Sequence, residues 1–148
     1  MDKTSVAFQK KVLELKKKFE SLAPSQKYEQ IIALGKDLPQ IDSKLKSPDT
    51  LVRGCQSELY LHTDLKGGKI FFTASSDALI SKGLAALLIT IYNGSTPETI
   101  ISSPPHFLED LGIQASLSLN RSQGVSHIYL KMKLQTILLA KNDLIGPI

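Results

Sequence analysis

The sequence predicts a single α+β domain, in which several helices pack around one small, three-stranded antiparallel sheet. Three observations indicate this class. Apolar residues recur at helical spacing near both ends of the chain, a central segment alternates between polar and apolar residues, and Lys66-Gly67-Gly68-Lys69 is typical of a hairpin turn. With 148 residues, 42% of them hydrophobic and 22% charged, the chain suits one globular domain, which we place at residues 1–148.

Two amphipathic helices are predicted at the amino end. Apolar side chains recur at helical spacing over about residues 5 to 21, which predicts the first helix. Ala23-Pro24-Ser25 opens the second helix, which Gly35 and Pro39 end. The polar segment from Gln40 to Asp49 then serves as a connector.

Three short strands are predicted to follow this connector. They are Thr50 to Arg53, Ser57 to Leu65 and Ile70 to Thr73. In the second strand, Leu59, Leu61 and Thr63 alternate with polar residues and therefore share one face. We expect that face to pack against helices.

The carboxyl half of the chain is predicted to be helical. Its helices begin near Ala78, Pro97, His106 and Asn120. The first of them runs to Tyr92, is apolar nearly all round and is expected to cover the sheet, with Ser75-Ser76-Asp77 supplying its N-cap. The last has Asn120 as its N-cap and Gln123 in capping-box position, and it runs to about Ala140.

Charge and hydropathy exclude two classes of partner. The net charge is +4, but most of the excess lies in the first helix, and no aromatic residues interleave with a basic stripe. A solvated helix face explains these lysines, so no nucleic-acid partner is expected. The longest apolar run, Leu84 to Tyr92, is too short to span a bilayer, and the amino terminus does not resemble a secretory signal. We therefore expect no membrane partner and a cytoplasmic, reducing location.

Cys55 is the only cysteine of the chain, and it lies in the polar run Val52-Arg53-Gly54-Cys55-Gln56-Ser57. One thiol cannot form an internal disulfide, hold an iron–sulfur cluster or build a thiolate zinc site, so no metal is expected. The thiol is then either a packed, inert side chain or a nucleophile. Its polar neighbours, and its predicted position at a bend where Gly54 permits a sharp turn, favour the nucleophile.

A cysteine hydrolase would need a histidine beside this thiol. His62 is seven residues away, which is on the order of 20 Å along an extended strand. His106 and His127 can approach only through tertiary folding, and nothing in the sequence marks either of them. No phosphate-binding glycine loop, zinc motif or second thiol is present. The chain therefore offers a nucleophile without an assembled active site. Such a thiol can accept a sulfur atom if a partner enzyme activates and delivers it.

Three motifs resemble those of the SufE-type cysteine-desulfuration proteins, in the same order and over nearly the whole chain. They are Val52-Arg53-Gly54-Cys55-Gln56-Ser57, Ser76-Asp77-Ala78-Leu79-Ile80-Ser81-Lys82-Gly83-Leu84 and Asn120-Arg121-Ser122-Gln123-Gly124. The resemblance implies a fold similar to that of U-type iron–sulfur scaffolds. It also implies a sulfur acceptor, not an independent enzyme, which stimulates a cysteine desulfurase by removing its bound sulfur.

The resemblance further implies the route of the sulfur. A SufS-like desulfurase, which carries the pyridoxal phosphate, holds sulfur as a persulfide, and Cys55 attacks the outer sulfur atom. The sulfur then passes to an iron–sulfur scaffold complex. This chain itself binds no cofactor, and it is a monomer or a homodimer. Gly54 is expected to let the cysteine loop swing from an apolar resting cavity toward the partner.

Supporting roles also follow from the resemblance. Arg121 matches an arginine at the start of the last helix and is either a cation at the docking face or a surface residue. Asp77 matches a position that tunes the acceptor loop, although a helix-start carboxylate explains it equally well. Gln56 and Ser57 are expected to hold the loop by hydrogen bonds. This chain departs from the family at Leu119-Asn120, where many members have a proline, and its tail from Asn142 to Ile148 has no counterpart.

Two other classes of protein remain as alternatives. In the first, the chain is a non-catalytic interaction module that regulates a desulfurase, and Cys55 is structural. In the second, it is a U-type cluster scaffold, which needs several ligands and is disfavoured by the single thiol. Replacement of Cys55 by serine distinguishes a sulfur acceptor from an interaction module.

Overall fold

The computed structural model describes residues 3–54, 57–113, 117 and 119–145, with the side chains of residues 3–5, 119–122 and 143–145 outside that description. The helices are α1 (Lys3–Glu20), α2 (Pro24–Lys36), α3 (Leu79–Tyr92), α4 (Pro97–Ser102), α5 (Phe107–Asp110) and α6 (Leu119–Ile145). The strands are β1 (Leu59–Lys66) and β2 (Lys69–Ser76), and a 3-10 turn covers Ser43–Leu45. The predicted α+β architecture is confirmed.

The two strands form the predicted antiparallel hairpin. The register pairs Leu59 with Ser76 at one end and Lys66 with Lys69 at the other. Gly67 and Gly68 between them have φ angles of 58° and 77°, the left-handed conformation that a tight hairpin turn requires. Leu59, Leu61 and Thr63 are buried, as their alternation predicts, and the intervening side chains of β1 are only partly covered.

The prediction of a third strand is wrong for the residues that the structure describes. The segment Thr50 to Arg53 makes one isolated bridge, between Leu51 and Tyr60. Two backbone hydrogen bonds hold it, from the N–H of Val52 to the carbonyl of Leu59 and from the N–H of Leu61 to the carbonyl of Thr50, each 2.8 Å long. The chain then turns at Arg53–Gly54, so the pairing stops before a ladder can form.

Helix α3 packs between α2 and the sheet, which confirms that it covers the sheet. Its crossing with α2 depends on two glycines, Gly35 and Gly83. A Cβ atom on Gly83 would contact the carbonyl oxygen of Ile31 and lie 2.7 Å from the carbonyl carbon, while one on Gly35 would lie 2.7 Å from the nitrogen of Gly83. The two helix backbones are therefore in direct contact.

Helix α6 is fixed in place by polar groups that are buried or half-buried. The amide of Gln135 donates to the carbonyl of Leu61 at 3.0 Å and accepts from the hydroxyl of Thr63. The hydroxyl of Tyr129 donates to the carbonyl of Ile100 at 2.6 Å, and its ring packs on Tyr92, with centroids 5.6 Å apart. These contacts give α6 a defined position relative to β1 and α4.

Both predicted caps need correction. Helix α6 begins at Leu119, so Asn120 lies in its first turn instead of at the N-cap, and the helix continues to Ile145, past the predicted end. Helix α3 has Ala78 at its N-cap, with no hydrogen bond from that side chain. The hydroxyl of Ser76, two residues before this N-cap, instead accepts the N–H of Ala78 at 3.2 Å.

Across the described ranges, no helix combines the length and the apolar composition needed to cross a membrane.

Candidate functional site

The cysteine motif spans a loop whose two ends are held together. The loop leaves the sheet after Val52, which is buried, and returns at Leu59, the first residue of β1. The hydrogen bond from the N–H of Val52 to the carbonyl of Leu59 closes it. Cys55 and Gln56 lie outside the described residues, so the geometry of the site is that of Gly54, Ser57 and the residues around them.

Gly54 is the position where this loop requires glycine. Its φ angle is 89°, in the left-handed region that a residue with a Cβ atom rarely adopts. In addition, a Cβ atom placed on Gly54 would lie 2.7 Å from each of Cγ, Cδ2 and Cε1 of His127. Equal distances to three ring atoms put that point over the face of the imidazole. The ring therefore covers the side of Gly54 where another residue would carry its side chain.

His127 is the residue at this site to which sequence reasoning gave no role, because it could approach the loop only through tertiary folding. It lies on α6 and is half-buried. Its ring nitrogens form no hydrogen bond or ion pair with any residue in the described part of the chain. One signal was present in the sequence: His127 follows Gly124 of the third motif by three residues, about one helical turn, and so shares a face with that motif.

The carboxyl end of the loop is tied to the start of α3. The hydroxyl of Ser76 donates to the carbonyl of Glu58 at 2.8 Å and accepts from the N–H of Ala78. The Glu58 carboxylate in turn accepts from the hydroxyl of Tyr60. Ser57 is half-buried, and its hydroxyl has no hydrogen-bond partner among the residues described. The second motif therefore contributes Ser76 as a direct link to the cysteine loop.

The other predicted site residues are only partly placed. Asp77 is exposed, follows Ser76 directly and has no hydrogen bond or ion pair within the described ranges. It therefore lies at the end of α3 that is joined to the loop. The backbone of Arg121 lies in the first turn of α6, six residues before His127, which corresponds to about 9 Å along the helix axis. The roles of both residues, and those of Gln56 and Ser57, stay predictions.

The remaining histidines do not belong to this site. His62 pairs with Asp64 at 3.2 Å between nitrogen and oxygen, along the partly exposed face of β1. His106 is exposed at the start of α5. Within the described residues, no three His, Cys, Asp or Glu side chains lie close enough together to hold a metal ion.

A mostly apolar groove runs beside α6 near the site. It has a volume of about 380 Å³ and lies between this helix and the segment that contains α5. Its lining includes Pro105, Ile113, Leu117, Val125, Tyr129 and Leu130. Val125 and Tyr129 lie two residues before and after His127, so they belong to a different face of the helix from the one that meets Gly54.

Comparison with known proteins identifies sequences similar to this one. Residues 13–136 match the family model described as "SufE: Fe-S metabolism associated domain". An uncharacterised SufE-like protein of Synechocystis is 39% identical over 114 residues, which cover 77% of this chain and 72% of that protein. The sulfur acceptor protein CsdE of Escherichia coli is 38% identical over 102 residues, which cover 68% of this chain and 69% of CsdE.

A solved structure has the same fold. The solution structure of a hypothetical protein from Thermus thermophilus superposes with a TM-score of 0.76 and covers 89% of this chain and 97% of its own. The two sequences are 22% identical, so this likeness supports the fold alone.

Proposed function

This chain belongs to the SufE family, and we propose that it is a sulfur acceptor that carries sulfur as a persulfide on Cys55. The donor is a pyridoxal-phosphate-dependent cysteine desulfurase, and the recipient is an iron–sulfur cluster assembly scaffold. The pyridoxal phosphate stays with the donor, and the acceptor needs no cofactor or metal of its own. A reducing, cytoplasmic compartment keeps the single thiol available.

One observation carries this proposal. The only thiol of the chain lies in a short loop whose ends are fixed by described contacts: the Val52–Leu59 hydrogen bond on one side and the Ser76–Glu58 hydrogen bond on the other. The first motif forms this loop, the second supplies Ser76 as a hydrogen-bond partner of it, and His127, which lies over Gly54, follows the third motif by about one helical turn. Both ends of the loop that contains this thiol are therefore held to the body of the domain.

The transfer is an exchange between sulfur atoms. The Cys55 thiolate attacks the outer sulfur of the donor's persulfide, and a bond forms between these two sulfur atoms. The sulfur–sulfur bond of the donor breaks, and its electron pair remains on the donor's cysteine as a thiolate. The proton that Cys55 loses neutralises that thiolate or passes to solvent. No external oxidant or reductant is needed, because one persulfide replaces another.

Desulfurase stimulation tests the proposal against its main alternative. Wild-type protein and the Cys55→Ser variant are each added to a cysteine desulfurase, and sulfide release and binding are measured separately. A sulfur acceptor loses its stimulation on substitution but keeps its binding, because serine cannot form a persulfide. A variant that still stimulates the desulfurase would identify the chain as a regulatory interaction module, with Cys55 in a structural role.

A further inference from the structure

Helix α6 carries a stripe of apolar side chains that the fold leaves exposed. Four of the eight large apolar side chains exposed among the described residues lie on this helix: Leu130 (57%), Leu134 (53%), Ile137 (39%) and Leu138 (53%). The three leucines are four residues apart, and Ile137 follows Leu134 by three, so all four share one face. This apolar stripe is about 12 Å long from Leu130 to Leu138.

The apolar stripe continues from the contact between α6 and the cysteine loop. His127 precedes Leu130 by three residues and Leu134 by seven, so it lies on the same face of the helix. Its ring covers Gly54. The exposed apolar surface therefore begins beside the Gly54 end of the loop and leads away from it along α6.

The charges that α6 carries beside the apolar stripe are positive. Residues 119–142 of this helix contain no acidic residue, and Lys131, Lys133 and Lys141 lie within or next to the stripe. None of these lysines forms an ion pair with a described residue. The carboxylates that line grooves bordering α6 do not pair with them either: these are Glu98 and Glu109. A complementary surface is therefore apolar at its centre, with carboxylates around it.

We propose that the apolar stripe of α6 is a docking surface for the cysteine desulfurase, which contacts it through an apolar patch surrounded by carboxylates. This inference rests on the proposed function, and it adds the surface that holds the sulfur donor beside the loop. The four aliphatic side chains form the centre of the interface, and the three lysines form its polar rim. Unpaired lysines also attract an acidic partner to this side of the molecule before contact.

A second copy of this chain does not satisfy the same surface. Complete burial of one leucine removes roughly 100 Å² from solvent, so the half-exposed stripe offers roughly 200 Å². A stable interface needs about 800 Å² on each partner. Most of the remainder would come from the surroundings of the stripe, where the lysines would repel the same lysines of the copy.

A membrane surface does not satisfy it either. Helices that lie in a membrane interface combine basic residues with aromatic side chains that enter the bilayer, and the apolar stripe is wholly aliphatic. Basic clusters that recognise anionic lipids contain about 4–8 lysines or arginines, whereas three lysines accompany this stripe. The observations therefore favour a protein partner.

Desulfurase binding tests the inference. The full chain and its Leu134→Glu variant are each titrated with a cysteine desulfurase in the absence of free cysteine, and the dissociation constants are compared. Glutamate at the centre of the stripe removes an apolar contact and repels the carboxylates of the partner. Leu13→Glu is the matched control, because Leu13 is 54% exposed on α1, against 53% for Leu134 on α6. Urea unfolding checks that each variant folds, and Leu138→Glu replaces Leu134→Glu if that variant does not.

We expect Leu134→Glu to weaken desulfurase binding by about tenfold or more and Leu13→Glu to bind as the wild type does. Added salt should weaken wild-type binding, because the lysines and the carboxylates are screened from each other. Replacement of Lys131 and Lys141 by glutamine should weaken binding at low salt and remove most of this salt dependence. Equal affinities of wild-type protein and folded Leu134→Glu would overturn the inference.

Two other results would overturn it by assigning the stripe to another occupant. One is a wild-type dimer in sedimentation that Leu134→Glu converts to a monomer. The other is wild-type binding to vesicles of phosphatidylcholine and phosphatidylserine that the same variant abolishes. Failure of the proposed function has a different signature: wild-type protein would neither bind a desulfurase nor acquire sulfur from it.

Discussion

Replacement of Gly54 by alanine tests the geometry of the site most sharply. The substitution adds one methyl group at a residue whose φ angle is 89° and whose missing Cβ position lies 2.7 Å from the ring of His127. The first fact implies a cost in backbone strain, and the second implies a cost in overpacking; both lower the free energy of unfolding. They can be measured separately, because only the overpacking depends on His127.

The magnitude of each cost comes from the local geometry. Alanine in the left-handed region costs about 1–2 kcal/mol relative to glycine. Overpacking against the imidazole costs about 1–3 kcal/mol more, because the half-buried ring must move to restore an ordinary contact distance. Gly54→Ala should therefore lower the free energy of unfolding by about 2–5 kcal/mol, and by only about 1–2 kcal/mol when His127 is already alanine.

The assay is a double-mutant cycle by urea unfolding. It compares wild-type protein, Gly54→Ala, His127→Ala and the double variant, with Gly67→Ala as a control that carries backbone strain at a position with open space around the Cβ. We expect a coupling energy of about 1–3 kcal/mol between Gly54 and His127. Equal costs of Gly54→Ala in both backgrounds would show that the ring of His127 does not cover Gly54.

Three further predictions concern the framework that holds the loop. Gly83→Ala should destabilise the protein by about 1–3 kcal/mol in urea, because the new methyl group meets the carbonyl of Ile31 and forces α2 and α3 apart; an unchanged urea midpoint would contradict this contact. Burial raises the pKa of both Tyr92 and Tyr129 above the ordinary tyrosine value of 10.0. A group whose pKa is raised on folding stabilises the protein fully at any pH below its pKa in the unfolded chain, and this stabilisation is lost at higher pH. The urea midpoint should therefore be constant up to about pH 10 and fall above it. Replacement of both tyrosines by phenylalanine should make that fall smaller. Ser76→Ala should cost about 1 kcal/mol and speed hydrogen exchange at Ala78, since the hydroxyl that accepts this N–H is lost; unchanged exchange there would contradict the link between α3 and the loop.

Local sequence patterns predicted most helices and strands, because the formation of each depends mainly on residues that are close together in sequence. The alternation of Leu59, Leu61 and Thr63 placed the buried face of β1, and Gly67-Gly68 placed the turn. The third strand was predicted in error: its residues are typical of a strand, but the segment pairs only through the bridge between Leu51 and Tyr60. The turn at Arg53 and Gly54 ends the pairing. The position of that turn depends on tertiary contacts of Gly54, which the sequence does not show.

The candidate site was predictable only in part, for the same reason. The thiol and its glycine are adjacent in sequence, so the motif identified both. His127 is 73 positions beyond Gly54 by their residue numbers, and it reaches the loop through the packing of α6, which Gln135 and Tyr129 help to fix against β1 and α4. Ser76 was expected to cap α3, and the structure shows that its hydroxyl also holds the carbonyl of Glu58. Long-range placements of this kind depend on packing, which no local pattern encodes.

Intact-mass analysis tests the central claim most directly. Wild-type protein is incubated with a cysteine desulfurase and free cysteine, separated from small molecules and weighed under non-reducing conditions. The account predicts a gain equal to one sulfur atom that a reductant removes, and no gain in the Cys55→Ser variant. Wild-type protein that gains no sulfur, or a Cys55→Ser variant that gains as much as wild type, would contradict it.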